Sequence, residues 1–452
     1  MKLWAYQSSQ QKNLILLREP RINSFLYICD AIFNSSNPDM KRNHSIVLLI
    51  FLTFFVISFL TNVMGVLIPE AKDDFKVSNT MAAFLPLFFF IAYGIMSIPA
   101  GLLTERFREK KVMLLAFSSA LTGSILFALF PRYGVMLGSL FMIGMGMALL
   151  QVAINPLLRV SGGEEHFAFN SVTAQLFFGA ASFLSPMLYS YLVTQLAPGN
   201  TPNAFIKMLG NITPAGLPWV AIYWIFALII ITMLFIISMA KFPKVELKED
   251  EKTGSWKTIS YLFKNKTVIL FFIGIFCYVG TEQGVSNWIS EYLRSYHGMR
   301  PEVEGAKAVQ WFWLLMTIGC FTGLGLLKLM NSKIILRIFV LAAMASLATA
   351  LITSDGNTAF YAFIGVGFFA SVMWSIVFSL GMNSIAEHHG SFSGILCSGI
   401  MGGAITPVIV GSLADIFTLR VGLLFNFLTL GYLLSVSFWA KPLISNKTIF
   451  DK

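Results

Sequence analysis

Twelve apolar runs, each of roughly membrane-crossing length, constrain this chain more than any other feature: about 20 such residues span a bilayer's hydrocarbon core. They cover 46–68, 81–104, 112–130, 134–158, 169–193 and 219–240, then 268–292, 309–329, 333–352, 358–385, 391–417 and 421–440. Within lipid, each backbone N–H and C=O needs an internal partner, so runs of this length become helices. Only 12% of the residues are charged, against about 25% in ordinary soluble domains. The reading is an all-α membrane protein with twelve transmembrane helices.

The net charge of +10 does not point to nucleic acid, because the basic residues lie in the connections between apolar runs. There they act as topology signals. The richer set includes Lys41 and Arg42, the group Arg106, Arg108, Lys110 and Lys111, the lysines of 241–266, then Lys333, Arg337 and Lys441. The alternate connections hold fewer, among them Lys72, Lys76, Arg132, Arg294 and Arg420. That bias places both termini in the cytoplasm of a cell inner-membrane protein.

The expected organisation is a cytoplasmic tail at 1–45, a six-helix bundle at 46–240, a cytoplasmic linker at 241–266, a second bundle at 267–440 and a tail at 441–452. No secretory signal is evident, and Met40 is an alternative start. Corresponding runs in the halves are offset by roughly 220–225 positions, as in parallel transporter repeats. The implied architecture is two bundles related by a pseudo-two-fold axis along the membrane normal, the major facilitator arrangement. The four cysteines, Cys29, Cys277, Cys320 and Cys397, have neither metal-ligand spacing nor a disulfide pattern.

Functional candidates are the polar residues inside apolar runs, which usually face water or a partner. Glu282 stands out. It lies in the sequence FCYVGTEQGVSNW, with Gln283 and Asn287 a turn apart. Asn62 lies in the first run, Gln151 and Asn155 share a face of the fourth, and Trp374 is deep in the tenth. Amides and carboxylates exchange hydrogen bonds with sugar hydroxyls, while an aromatic face suits sugar C–H surfaces. The competing reading makes these residues interhelical glue or core. That competing reading is preferred for Asn170 and Asn383. Trp311 and Trp313 read as interfacial anchors, and Asp415 as a cap or surface pair. His388 and His389 read as solvated. No enzyme motif is present.

Several stretches resemble the fucose/galactose/glucose permeases of the major facilitator superfamily. They are Ser97-Ile98-Pro99-Ala100-Gly101, Ala153-Ile154-Asn155-Pro156, Phe276-Cys277-Tyr278-Val279-Gly280 with Glu282, Phe378-Ser379-Leu380-Gly381 and Gly402-Gly403-Ala404-Ile405-Thr406-Pro407. The resemblance implies monosaccharide uptake with a coupling cation, H⁺ or Na⁺, by alternating access, and a basic latch at 106–111. It places Gly65 and Gln151 where proton-coupled members carry carboxylates, and Cys320 where the family has an arginine. Glu282 then becomes the cation-coupling residue, with Asn62, Gln151, Asn155, Gln283, Asn287 and Trp374 as substrate contacts. The expected partners are a small sugar and the bilayer, with no nucleic acid, no metal site and no cofactor beyond the coupling ion, in a monomer. Rival readings are a sugar uniporter, a carrier of another small solute such as an amino sugar, an intramembrane enzyme and a sensor. The enzyme would need paired catalytic groups, and the sensor a soluble output domain.

Overall fold

A computed structural model describes residues 43–163, 167–197, 203–214, 216–243, 256–385 and 389–443. The expectations for the N-terminal tail, Met40, Cys29, His388 and most linker lysines fall outside these residues. The described residues, all of them between 43 and 443, form one compact unit.

Twelve helices in the described residues are long and apolar enough to cross a membrane. They are α1 His44–Phe75, α2 Asn79–Thr104, α3 Arg106–Leu129, α4 Tyr133–Asn155, α5 Thr173–Leu196, α6 Pro218–Met239, α7 Lys266–Ser286, α8 Pro301–Leu329, α9 Ser332–Ile352, α10 Gly356–Met382, α11 Ser391–Ile416 and α12 Leu419–Trp439. Each coincides with one apolar run, and the chain forms two six-helix bundles. Polar caps set several starts: Asn43, Ser78, Asn265, Asn331, Asp355 and Thr418 each accept a bond from a first-turn N–H. These caps satisfy donors that have no partner within the helix.

The bundles repeat each other in detail. Lys110 at the start of α3 donates to the Ser238 and Ala240 carbonyls at the C-terminal end of α6, at 2.9 and 2.8 Å. Lys333 at the start of α9 donates to the Ala440 carbonyl beyond α12 at 2.8 Å. A cation at a helix C-terminus meets both unpaired carbonyls and the negative end of the dipole. Lys110, expected as part of a latch, is thus tied within its own bundle.

The helices that carry candidate residues are interrupted. α1 turns at Asn62 and Val63, α10 at Ser371 and Val372, and α7 ends at Ser286, then resumes after a turn as a short helix, Ile289–His297. Asn62 and Asn287 cap the corresponding breaks of the two halves. The α1–α5 seam is polar: Ser58 bonds Ser182 at 2.6 Å, and Ser185 donates to the Phe59 carbonyl at 2.7 Å. The matching α7–α11 seam is built on glycine. A Cβ on Gly402 would strike the Phe276 carbonyl, and one on Gly280 the Thr406 hydroxyl.

Two connections are more ordered than their composition suggests. Ala204–Ile212 is an amphipathic helix with Ile206 and Leu209 buried. In the linker, Trp256–Leu262 is helical, with Ile259 and Leu262 buried.

Candidate functional site between the bundles

From 277 to 293 every residue is buried except Glu282, which is partly exposed. Helix periodicity explains the contrast. Thr281 and Gly284 face α12, where Thr281 bonds Thr429 at 2.6 Å and Gly284 abuts Asn426. Tyr278 and Glu282, a turn apart, share a different face. The Tyr278 hydroxyl donates to Glu282 Oε2 at 2.6 Å, and the Gln283 amide to Oε1 at 3.0 Å. Gln283 in turn accepts from Asn287 Nδ2 at 3.1 Å. Among the described residues Glu282 has no ion-pair partner. Tyr278 also meets Trp374 of α10, ring centroids 5.9 Å apart, and Trp374 stacks on Phe378 at 5.8 Å. A carboxylate and an aromatic group thus both contact Tyr278.

The sequence candidates divide into two groups. Gln151 and Trp374 are partly exposed and Asn155 is exposed, its amide donating to the Gln151 carbonyl at 3.2 Å. Gln283 and Asn287 are buried within the hydrogen-bond chain that ends at Glu282. Asn62 is buried as well, donating to Ser182 at 2.8 Å across the α1–α5 seam. In this conformation these three amides support the walls, and a solute would not reach them. Trp313, expected at the membrane interface, is instead only 4% exposed. Its position on α8 turns it into the protein, while Trp311 faces out and meets Phe183 of α5. Cys320 donates to the Ser371 carbonyl at 3.3 Å, a contact within its own half at the break in α10.

Hydrogen bonds and ion pairs between the halves gather at one end, which the charge bias assigns to the outside and which we call the outer end. Glu291 pairs with Lys72 of α1 and, at 2.9 Å, with Arg294, which reaches Asp73 at 2.5 Å. Burial pulls the Arg294 guanidinium down, but Glu291 and Asp73 more than offset this and hold it above its ordinary value. Asp415 of α11 caps α2 across the interface, accepting from Asn79 N at 2.9 Å, Thr80 N at 2.8 Å and the Thr80 hydroxyl at 2.6 Å. This is the cap or pair expected of Asp415. Ser190 of α5 donates to the Glu302 carbonyl at 2.6 Å.

Gly65 completes the closure. A Cβ there would lie 2.5 Å from the Ser286 carbonyl oxygen, so only glycine lets α1 approach the break in α7 this closely. The position where the resemblance places an aspartate has no room for one in this state. Sequence reading missed Tyr278 as a functional residue and the outer ion pairs. Lys72 and Arg294 are more than topology signals, and the sequence holds a hint of it: Asp73 follows Lys72, and Glu291 precedes Arg294 by three residues.

Two six-helix bundles, bonded to each other at one end and holding inside one of them a carboxylate without an ion-pair partner among the described residues, have the architecture of a membrane transporter, not of an enzyme. The chain belongs to the Major Facilitator Superfamily, whose profile matches residues 50–397. It is 30% identical over 387 residues to a glucose/galactose transporter of Brucella abortus, covering 84% of this chain and 90% of that protein. It is 25% identical over 374 residues to the L-fucose-proton symporter of Escherichia coli, covering 80% and 85%. Among solved structures, the Escherichia coli fucose:proton symporter FucP superposes with a TM-score of 0.63 at 23% identity, covering 87% of this chain and 98% of that one.

Proposed function

We propose that the protein imports a monosaccharide, a hexose or 6-deoxyhexose such as glucose, galactose or fucose, coupled to H⁺ or Na⁺ through Glu282. The observation that carries this reading is a carboxylate in the apolar part of α7 without a basic partner, linked through Tyr278 to the partly exposed Trp374. A charge in that position is costly and is kept where it meets a substrate or ion. Gln151, Asn155 and Trp374 retain exposure in this conformation and are the proposed sugar contacts. Asn62, Gln283 and Asn287 become contacts only if the helix breaks rearrange. The names of the relatives support the substrate class. Uptake of a labelled sugar panel by proteoliposomes, with and without a Na⁺ or pH gradient, tests the reading. Accumulation of a hexose driven by one gradient is the expected result; transport of an amino sugar or of no sugar would overturn it.

We place the protein in the cell inner membrane as a monomer, with both termini cytoplasmic. Two features support the orientation. Cations at the proposed inner end sit on helix C-termini, as Lys110 and Lys333 do, whereas Lys72 and Arg294 at the other end are neutralised by acids. A C-terminal reporter active only in the cytoplasm would check it.

A further inference from the structure

We propose that Tyr278 is a positioning residue that reads the protonation state of Glu282 and converts it into sugar affinity by reversing its own hydrogen bond. The proposal rests on the sugar-transport reading above and adds to it a residue and a coupling ion.

Both Glu282 oxygens accept here, one from the Tyr278 hydroxyl at 2.6 Å and one from the Gln283 amide at 3.0 Å. The amide's orientation is fixed by Asn287, which donates to its oxygen. The carboxylate is therefore faced by two donors. A proton arriving on one of these hydrogen-bonded lone pairs needs its donor to become an acceptor. An amide N–H cannot accept; a phenol can do either. When a proton adds to Oε2, the new O–H donates to Tyr278 Oη, and the Tyr278 O–H must find another acceptor. Tyr278 is buried in this conformation, as Gln283 is, so its hydroxyl meets a sugar oxygen only in a state in which the site beside Trp374 is open. A sugar that accepts from Tyr278 then binds the protonated protein more tightly, and by linkage the bound sugar favours protonation of Glu282.

Among the described residues the other titratable groups on and around α7 are placed otherwise: Cys277 is buried on α7, Cys397 of α11 is partly buried, and the Tyr432 hydroxyl of α12 donates to the Leu270 carbonyl. α10 carries no charged residue, and those of α11 and α12, Asp415 and Arg420, lie at the outer end, engaged with α2 and with Tyr292. On α8 the ionisable groups are Glu302, Glu304 and Lys307 at the outer end, Lys328 at the other, and Cys320, whose thiol is bonded to Ser371. From the first half, Tyr93 of α2 is buried.

The test measures binding of D-galactose, D-glucose and L-fucose to the purified full-length protein across pH, in the native protein and in Tyr278→Phe, Glu282→Gln and the double variant. In the native protein, affinity should fall by roughly five- to tenfold as pH rises through the Glu282 titration, the factor that one neutral hydrogen bond supplies. Tyr278→Phe should sit at the weak level at every pH. Glu282→Gln, whose amide can donate to Tyr278 as the protonated acid does, should bind tightly at every pH, and the double variant should lose the same factor. Native-like pH dependence in Tyr278→Phe, or weak binding by Glu282→Gln, would overturn the role of Tyr278 while leaving sugar transport standing. No binding of any sugar to the native protein would overturn the transport reading and this proposal with it.

Discussion

Gly280 and Glu282 are two residues apart and do opposite things. Gly280 is absent space: its Cβ position is taken by Thr406, so α7 and α11 touch at backbone distance. Gly280→Ala should destabilise the protein by about 1–3 kcal/mol, as small-to-large changes in packed cores do. Thermal unfolding in detergent would register this as a lower midpoint, and an unchanged midpoint would mean that the seam can open. Glu282 is a presence that the apolar run does not explain. Its isolation was legible in the sequence because a lone carboxylate in such a run is unusual. Tyr278 was not legible as functional, because a tyrosine in a membrane helix is unremarkable until its hydroxyl is seen on the carboxylate. Asn62, Gln283 and Asn287 show what sequence position leaves out: it marks an amide as polar, but not whether another side chain has already taken its hydrogen bonds.

At the scale of elements, the twelve spans could be read from apolar length alone, since lipid leaves the backbone no other choice. The breaks in α1, α7 and α10 could not, because no proline or glycine sits at the turns themselves; Asn62 bonds Ser182 and Ser371 bonds Cys320 across helix seams, while Asn287 bonds back to Gln283. The break in α7 matters most, since the outer half of α1 rests against it through Gly65 while Glu291 just beyond it binds Lys72. Gly65→Asp should therefore favour the state open at the outer end. Glu291→Gln should do the same by leaving Lys72 and Arg294 undercompensated, with a coupling of about 1–3 kcal/mol, or roughly 5–150-fold in population. Spin labels at Lys76 and Phe417, exposed residues at the outer ends of opposite halves, would lengthen their separation in both variants. An unchanged distance distribution would show that these contacts do not hold the outer end shut.

For the whole molecule, the repeated bundles supply two bodies, and their bonds at the outer end define one of the states between which they rock. Which state the chain adopts was not readable from the sequence, since the contact between Lys72 and Glu291 joins positions 219 apart. Thr80 Oγ1 and Ser412 Oγ lie 3.4 Å apart across the halves. A Thr80→Cys, Ser412→Cys pair in a cysteine-free background should crosslink, stop transport and recover it on reduction. Full transport by the crosslinked protein would exclude opening at this end as a necessary step.

The central claim is that one carboxylate inside α7 couples solute movement to a cation gradient. The most direct measurement compares labelled D-galactose movement in proteoliposomes bearing native protein or Glu282→Gln, first with an imposed gradient and then as counterflow without one. The account predicts that the variant retains counterflow and loses gradient-driven accumulation. Accumulation at the native level in Glu282→Gln would contradict it.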